Sequence, residues 1–114
     1  MRIELPWPPS MNHYWRNVAG RTLISREGRA YRDQVAAQAV AQGWRHPFPA
    51  DKRVAVRINA IPPDKRRRDL DNMLKPMLDA LTHAGLWADD SQIDDLHICR
   101  HAPRAGGLMI VEIY

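Results

Sequence analysis

Ten consecutive residues, Arg66-Arg67-Arg68-Asp69-Leu70-Asp71-Asn72-Met73-Leu74-Lys75, bring together the groups that phosphodiester chemistry needs. Three guanidinium groups suit phosphate oxygens, and two carboxylates spaced by one residue suit a divalent cation. Lys75 follows Asp71 by four positions. A second acidic group, Asp89-Asp90 and then Asp94-Asp95, comes about one helix later and is able to return to the same place. Hydrolysis requires a nucleophilic water, neutralised charge at phosphorus and help for the leaving oxygen. A hard cation such as Mg²⁺, held by carboxylates and water, serves these needs. Asp69, Asp71 and one of Asp89 or Asp90 are the candidate ligands, and spacing alone does not choose between the last two. Lys75 is suited to neutralise the scissile phosphate or to polarise the attacking water. Arg66, Arg67 and Arg68 are suited to hold flanking phosphates. A plainer reading is that Asp69 caps a turn while the arginines pair on the surface with Asp79 or Asp94.

Charge is laid out in blocks. Lys52 to Arg68 holds seven basic residues against the single acid Asp64, and Asp69 to Asp95 holds seven acids against Lys75. A uniformly solvated surface would mix the signs, and the net charge of +4 points toward a polyanionic partner. The 114 residues suffice for one domain with one core, and an apolar fraction of 45% is ordinary for a globular chain. Cys99 is the only cysteine, which excludes an intrachain disulfide and a cysteine-based zinc site. No apolar run approaches membrane-spanning length, and Met1 to Pro6 lacks the apolar stretch of a signal peptide. The expectation is a cytoplasmic protein.

The elements that must position the chemistry follow from periodicity and capping. Arg2 to Leu5 alternates as a short strand stopped by Pro6. Pro6-Trp7-Pro8-Pro9-Ser10 is a stiff extended loop. Asn12-His13-Tyr14-Trp15-Arg16 reads as loop, its aromatics either stacking on unpaired bases or covering an edge of the core. Arg21 to Ile24 is a short strand. Ser25 caps a helix over Arg26 to Ala41, with Tyr31, Val35 and Ala39 inward, Arg26, Arg29, Arg32 and Gln38 in water, and Gly43 beyond its end. Arg53 to Ala60 alternates as a half-buried strand, and Ile93 to Arg100 is another. Leu108 to Tyr114 is a last strand, expected antiparallel to its predecessor. Trp44 and Trp87 read as core aromatics. His97, Cys99 and His101 would share a strand face without the weight of the aspartate cluster.

Pro76 sets the expectation for the second long helix. Inside a helix it costs about 3 kcal/mol. With Asn72 as the N-cap and Met73 the first helical residue, Pro76 falls at the fourth helical position, where no donor is missed, and Gly85 stops the helix after Ala84. Met77, Leu78 and Leu81 then face inward. Asp69 and Asp71 would lie in extended chain, pointing to the same side with Cα atoms roughly 6.5–7 Å apart. The helix N-terminus beside them favours anions. The fold expected is α+β: a mixed sheet with two helices packed on it.

Arg-Arg-Arg-Asp-Leu-Asp-Asn (66–72), Lys75, Leu78-Asp79-Ala80-Leu81-Thr82, Ala84-Gly85 and Trp87-Ala88-Asp89-Asp90-Ser91-Gln92 resemble the RusA family of Holliday junction resolvases. Leu5-Pro6-Trp7-Pro8-Pro9-Ser10, Asn12, Tyr14, Arg29-Ala30-Tyr31-Arg32 and the Gly-Gly turn before the last strand fit the same family, so the likeness spans nearly the whole chain. It implies a single-domain, Mg²⁺-dependent endonuclease that binds four-way DNA junctions and nicks two opposing strands, with Mn²⁺ as the alternative ion. It implies catalytic aspartates at Asp69, Asp71 and Asp90, which would also hold the metal, and a catalytic lysine at Lys75. It further implies a homodimer, needing no organic cofactor or membrane and often prophage-borne, that serves recombination and repair. The DNA-contacting set is then Lys65, Arg66, Arg67, Arg68 and Asn72, joined by Tyr14 and Arg16. Two readings of other classes stand beside it. One is a module that binds branched DNA without cutting it, which needs the arginines but not the carboxylates. The other is a metal-dependent phosphatase or glycosyltransferase, whose folds usually need a larger body.

Overall fold

The computed structural model describes residues 1–114. Its element order is β1 (Arg2–Leu5), α1 (Met11–Tyr14), β2 (Trp15–Val18), β3 (Arg21–Ile24), α2 (Arg26–Ala41), β4 (Val54–Ile61), α3 (Leu70–His83), a single 3₁₀ turn (Asp90–Gln92), β5 (Ile93–Arg100) and β6 (Leu108–Ile113). The α+β class and the mixed sheet are as the sequence implied. A third, one-turn helix and the strand β2 lie where a loop was expected.

The main sheet has the order β1-β6-β4-β5, with β4 and β5 parallel and the other pairs antiparallel. The expected pairing of the last two strands does not occur. β6 inserts between β1 and β4, and β4 separates it from β5. The reason is burial. Alternation in β1, β4 and β6 puts Ile3, Leu5, Val54, Val56, Ile58, Ala60, Met109, Val111 and Ile113 on one face, all buried. One row runs Ile3, Val111, Ile58, Ile98 across the four strands. Pairing β6 with the largely exposed β5 would take those residues from the centre of the sheet.

α2 and α3 cover this face. Ser25 caps α2 as expected, its Oγ accepting from the Gly28 N–H at 2.9 Å, and Tyr31, Val35 and Ala39 point inward. Arg32 does not face water. Its Nη2 lies 2.8 Å from Asp79 Oδ2 on α3, and its Nε donates to the Tyr14 hydroxyl at 3.0 Å. The Tyr14 hydroxyl donates to Asp79 as well. Burial, then the hydrogen bond to Asp79, pushes the Tyr14 phenol well above its ordinary pKa. This cluster fastens α1 to both long helices. Gly28 permits the approach, since a Cβ there would collide with the Tyr14 carbonyl.

β2 and β3 form a separate hairpin turning at Ala19 and Gly20, both at positive φ (51° and 76°), as a tight two-residue hairpin turn requires. Trp87 and Leu86 are buried behind α3, with the Trp87 Nε1–H donating to Thr82 Oγ1 at 2.6 Å. No helix is long and apolar enough to cross a membrane.

Candidate active site

Three segments bear the candidate chemistry: the β4–α3 loop, the first turns of α3 and the 3₁₀ turn before β5. Within the loop, Asp64 organises the arginines. Its Oδ1 accepts the Arg66 N–H at 2.9 Å and pairs with Arg68 Nη1 at 2.8 Å, while Arg66 Nε lies 3.7 Å from Oδ2. The hydrogen bond from Arg68 is the main cause that holds the Asp64 carboxyl below its usual pKa. Arg68 is further fixed over the Trp7 ring, 5.7 Å from its centroid, and only 19% of its side chain is exposed. The surface pairing with Asp79 or Asp94 is therefore not what the arginines adopt. Arg67 makes no ion pair and stays exposed.

α3 begins at Leu70, three residues before the expected first helical residue Met73, and carries Pro76 within it. Pro76 brings no N–H to the Asn72 carbonyl, a cost of about 3 kcal/mol in an exposed helix. Tertiary packing outweighs it: Met73, Pro76, Met77, Leu78, Ala80 and Leu81 are all buried, and Leu70 and Leu74 pack against the core. Asp69 becomes the N-cap in extended conformation (φ −88°, ψ 137°), but its side chain makes no capping hydrogen bond. Asp71 falls in the first helical turn rather than in extended chain. The alternation that would set both carboxylates on one side of an extended chain therefore stops at Asp69 and does not extend to Asp71. Both are exposed and neither is tied up in an ion pair.

The 3₁₀ turn separates Asp89 from Asp90. Asp89 is spent on its own turn: its carboxylate accepts from Ser91 Oγ at 2.6 Å, its carbonyl accepts the Gln92 N–H at 3.1 Å, and its own N–H donates to the Gln92 side-chain oxygen at 3.2 Å. The Ser91 hydroxyl is the first cause of its lowered pKa. Asp90 instead faces α3, with Oδ2 3.3 Å from Lys75 Nζ. Asp94 is neutralised by Arg53 at 2.6 Å, and the same guanidinium donates to the Ser91 carbonyl. Asp95 lies 3.3 Å from His97.

Gln92, the one buried polar side chain, holds this turn in place. Its amide nitrogen donates to the carbonyls of Pro49 (2.8 Å) and Lys52 (3.0 Å), and its oxygen accepts from the Ala88 and Asp89 N–H groups (2.9 and 3.2 Å). All four bonding positions are filled. Sequence reasoning assigned Gln92 no role, and its only signal was the position three residues after a cap-forming aspartate.

The structure thus brings Lys75 and Asp90 together, but no three acidic, histidine or cysteine side chains stand close enough to enclose one ion. Asp69, Asp71 and Asp90 therefore do not form a closed cage. The donors still suit Mg²⁺, which keeps several waters and is usually held by one or two carboxylates together with substrate phosphates.

Arg67, Arg68 and Asn72 line a hollow of about 170 Å³ with Trp7, Ser10 and Met73, beside the N-terminus of α3. Trp7 and Ser10 come from the stiff proline loop, whose position over α3 the sequence did not disclose. Tyr14 departs from the expected DNA-contacting set. Its ring is fully buried and its hydroxyl is engaged by Asp79 and Arg32, so no base is able to stack on it. Arg16 lies exposed on the separate β2–β3 hairpin, and Lys65 is exposed in the β4–α3 loop. A larger depression of about 480 Å³ between β1 and α2, with Glu4, Gln34 and Gln38 on its walls, contains none of these residues.

Residues 6–113 match the family model described as Endodeoxyribonuclease RusA. The chain is 46% identical over 111 residues to the crossover junction endodeoxyribonuclease of Enterobacteria phage 82, covering 97% of this chain and 91% of that protein. It is 44% identical, with the same coverage, to the crossover junction endodeoxyribonucleases of Escherichia coli K12 and Shigella sonnei Ss046.

Proposed function

The chain belongs to the RusA endodeoxyribonuclease family, and from that membership we propose that it is a crossover junction endodeoxyribonuclease. It resolves four-way (Holliday) DNA junctions by nicking opposing strands, in the recombination and repair of cytoplasmic DNA. The observation that carries the site assignment is the Lys75–Asp90 contact beside the unspent carboxylates of Asp69 and Asp71.

Asp69, Asp71 and Asp90 would hold Mg²⁺, or Mn²⁺ in its place, together with the phosphate of the bound strand. The ion, when bound, supplies charge neutralisation at phosphorus and an acidified water. Lys75 has a compact charge on a flexible stem. Held at Asp90, it stands ready to transfer its hydrogen bond to a phosphate oxygen or to the attacking water as the strand enters. Arg67, free of acidic partners, meets a flanking phosphate. Arg68, pre-positioned by Asp64 and Trp7, presents a fixed guanidinium to another. Asn72 and Ser10 complete the hollow with neutral donors.

One such site cuts one strand. Paired cuts on a two-fold junction want two sites related by a two-fold axis, so the acting species is a homodimer. The test is nicking of a synthetic immobile four-way junction against a linear duplex of the same arms, with Mg²⁺ and with EDTA, for the wild type and Asp71→Asn. Symmetric paired nicks that need the metal and vanish in the variant are expected. Junction binding without nicks under any metal would instead identify a binding module.

A further inference from the structure

The arginine loop is not the only basic element at this end of the sheet. The β5–β6 connection carries His101 and Arg104 and no acid, Arg100 ends the strand before it, and residues 100–106 are exposed. It is fastened to the β4–α3 loop rather than left free. The Arg104 N–H donates to the Pro62 carbonyl and the His101 N–H to the Ala60 carbonyl, both at 2.9 Å. Arg100 Nη2 donates to the Arg68 carbonyl at 2.6 Å, and His101 Nε2 is bonded to Asn59 Oδ1 at 2.7 Å. Gly107, at φ +68°, seats the end of the loop against Trp7 and Pro63, where a Cβ would come within 3.0–3.2 Å of both.

The two loops and the end of β5 together present Lys65, Arg66, Arg67, Arg68, Arg100 and Arg104 against the two carboxylates of Asp64 and Asp69. Neither Arg100 nor Arg104 makes an ion pair. Backbone hydrogen bonds hold like charges together that would otherwise repel, an arrangement that a polyanion relieves.

We propose that the β5–β6 loop is a second phosphate-binding element, in which Arg104 contacts the backbone of the duplex arm flanking the cut strand. Arg100 plays a positioning part, bracing the carbonyl of Arg68. This rests on the proposed junction-cleaving function and extends its DNA surface beyond the 65–72 segment. Phosphate contacts fix register without reading sequence, so Arg104 adds affinity equally for all sequences.

The test is the salt dependence of binding to an immobile four-way junction and to a linear duplex, in an Asp71→Asn background that leaves the DNA intact. Each phosphate contact contributes about 0.9 to the slope of log K against log salt. Arg104→Ala is expected to lower that slope by about that amount, Arg104→Lys to restore it, and Arg45→Ala, an equal charge change after the end of α2, to leave it unchanged. An unaltered slope in Arg104→Ala, or an equal loss in Arg45→Ala, overturns the proposal while leaving junction cleavage standing. Parent protein that prefers duplex to junction removes the resolvase reading, yet the Arg104 slope on duplex still decides the loop's role. Parent protein that binds neither DNA overturns both.

Discussion

Lys75 Nζ and Asp90 Oδ2, fifteen positions apart in sequence, meet at 3.3 Å between α3 and the 3₁₀ turn that precedes β5. The pair is open to solvent, with 56% of the lysine side chain and 31% of the aspartate exposed, so its part in stability is small, at most about 1 kcal/mol. Its part in function is expected to be large.

Asp90→Asn and Lys75→Met should each lower single-turnover nicking of a four-way junction on the order of 10²-fold or more. Their melting temperatures should stay within a few degrees of wild type. Asp89→Asn should keep most of the activity, because Asp89 serves its own turn. Equal losses at Asp89 and Asp90 would contradict the separation of roles.

Gln92→Ala should do both kinds of damage. It strips partners from two carbonyls and two N–H groups in a buried position, which costs about 1–3 kcal/mol. It also releases the turn that presents Asp90. Urea unfolding should show the destabilisation, and nicking by the fraction still folded should fall as well. Full activity per folded molecule would mean that Asp90 holds its place without Gln92.

Tyr14→Phe should cost about 1 kcal/mol and leave junction affinity unchanged, since the ring is buried and only the hydroxyl's hydrogen bonds to Asp79 and Arg32 are lost. Asp79→Ala should cost more, about 2–3 kcal/mol, because it leaves Arg32 and the Tyr14 hydroxyl without their acceptor in a partly buried site. A drop in DNA affinity for Tyr14→Phe without a change in melting would put the tyrosine back at the DNA surface.

Acid should weaken the fold in a defined window. Asp64, Asp89 and Asp94 are held below their ordinary value of 3.8, chiefly by hydrogen bonds from Arg68, Ser91 and Arg53 respectively. The native state therefore binds fewer protons than the unfolded chain in acid. The stabilisation from these three groups is fully present above the unfolded value and is lost as pH falls through the lower folded values. Thermal melts should show no slope from these groups between pH 7 and pH 5, and a fall below about pH 4 that Asp64→Asn and Asp94→Asn make shallower.

Local chemistry made much of this protein readable. Ser25 fixes the start of α2 through a contact with a residue three positions away, and the alternation of Val54, Val56 and Ile58 marks β4 without reference to any other strand. The run from Arg66 to Lys75, with Asp89 and Asp90 to follow, pointed to phosphodiester chemistry, because residue type and spacing are properties of the chain itself. Long-range packing decided the rest. α3 begins at Leu70 despite Pro76 because its buried face offsets a local cost that the sequence shows alone. β6 enters between β1 and β4 because strand pairing is non-local and follows the apolar row that most needs covering. Asp89 and Asp90 are the same residue type one position apart. Only the fold, by turning one into its own cap and the other toward Lys75, gave them different work.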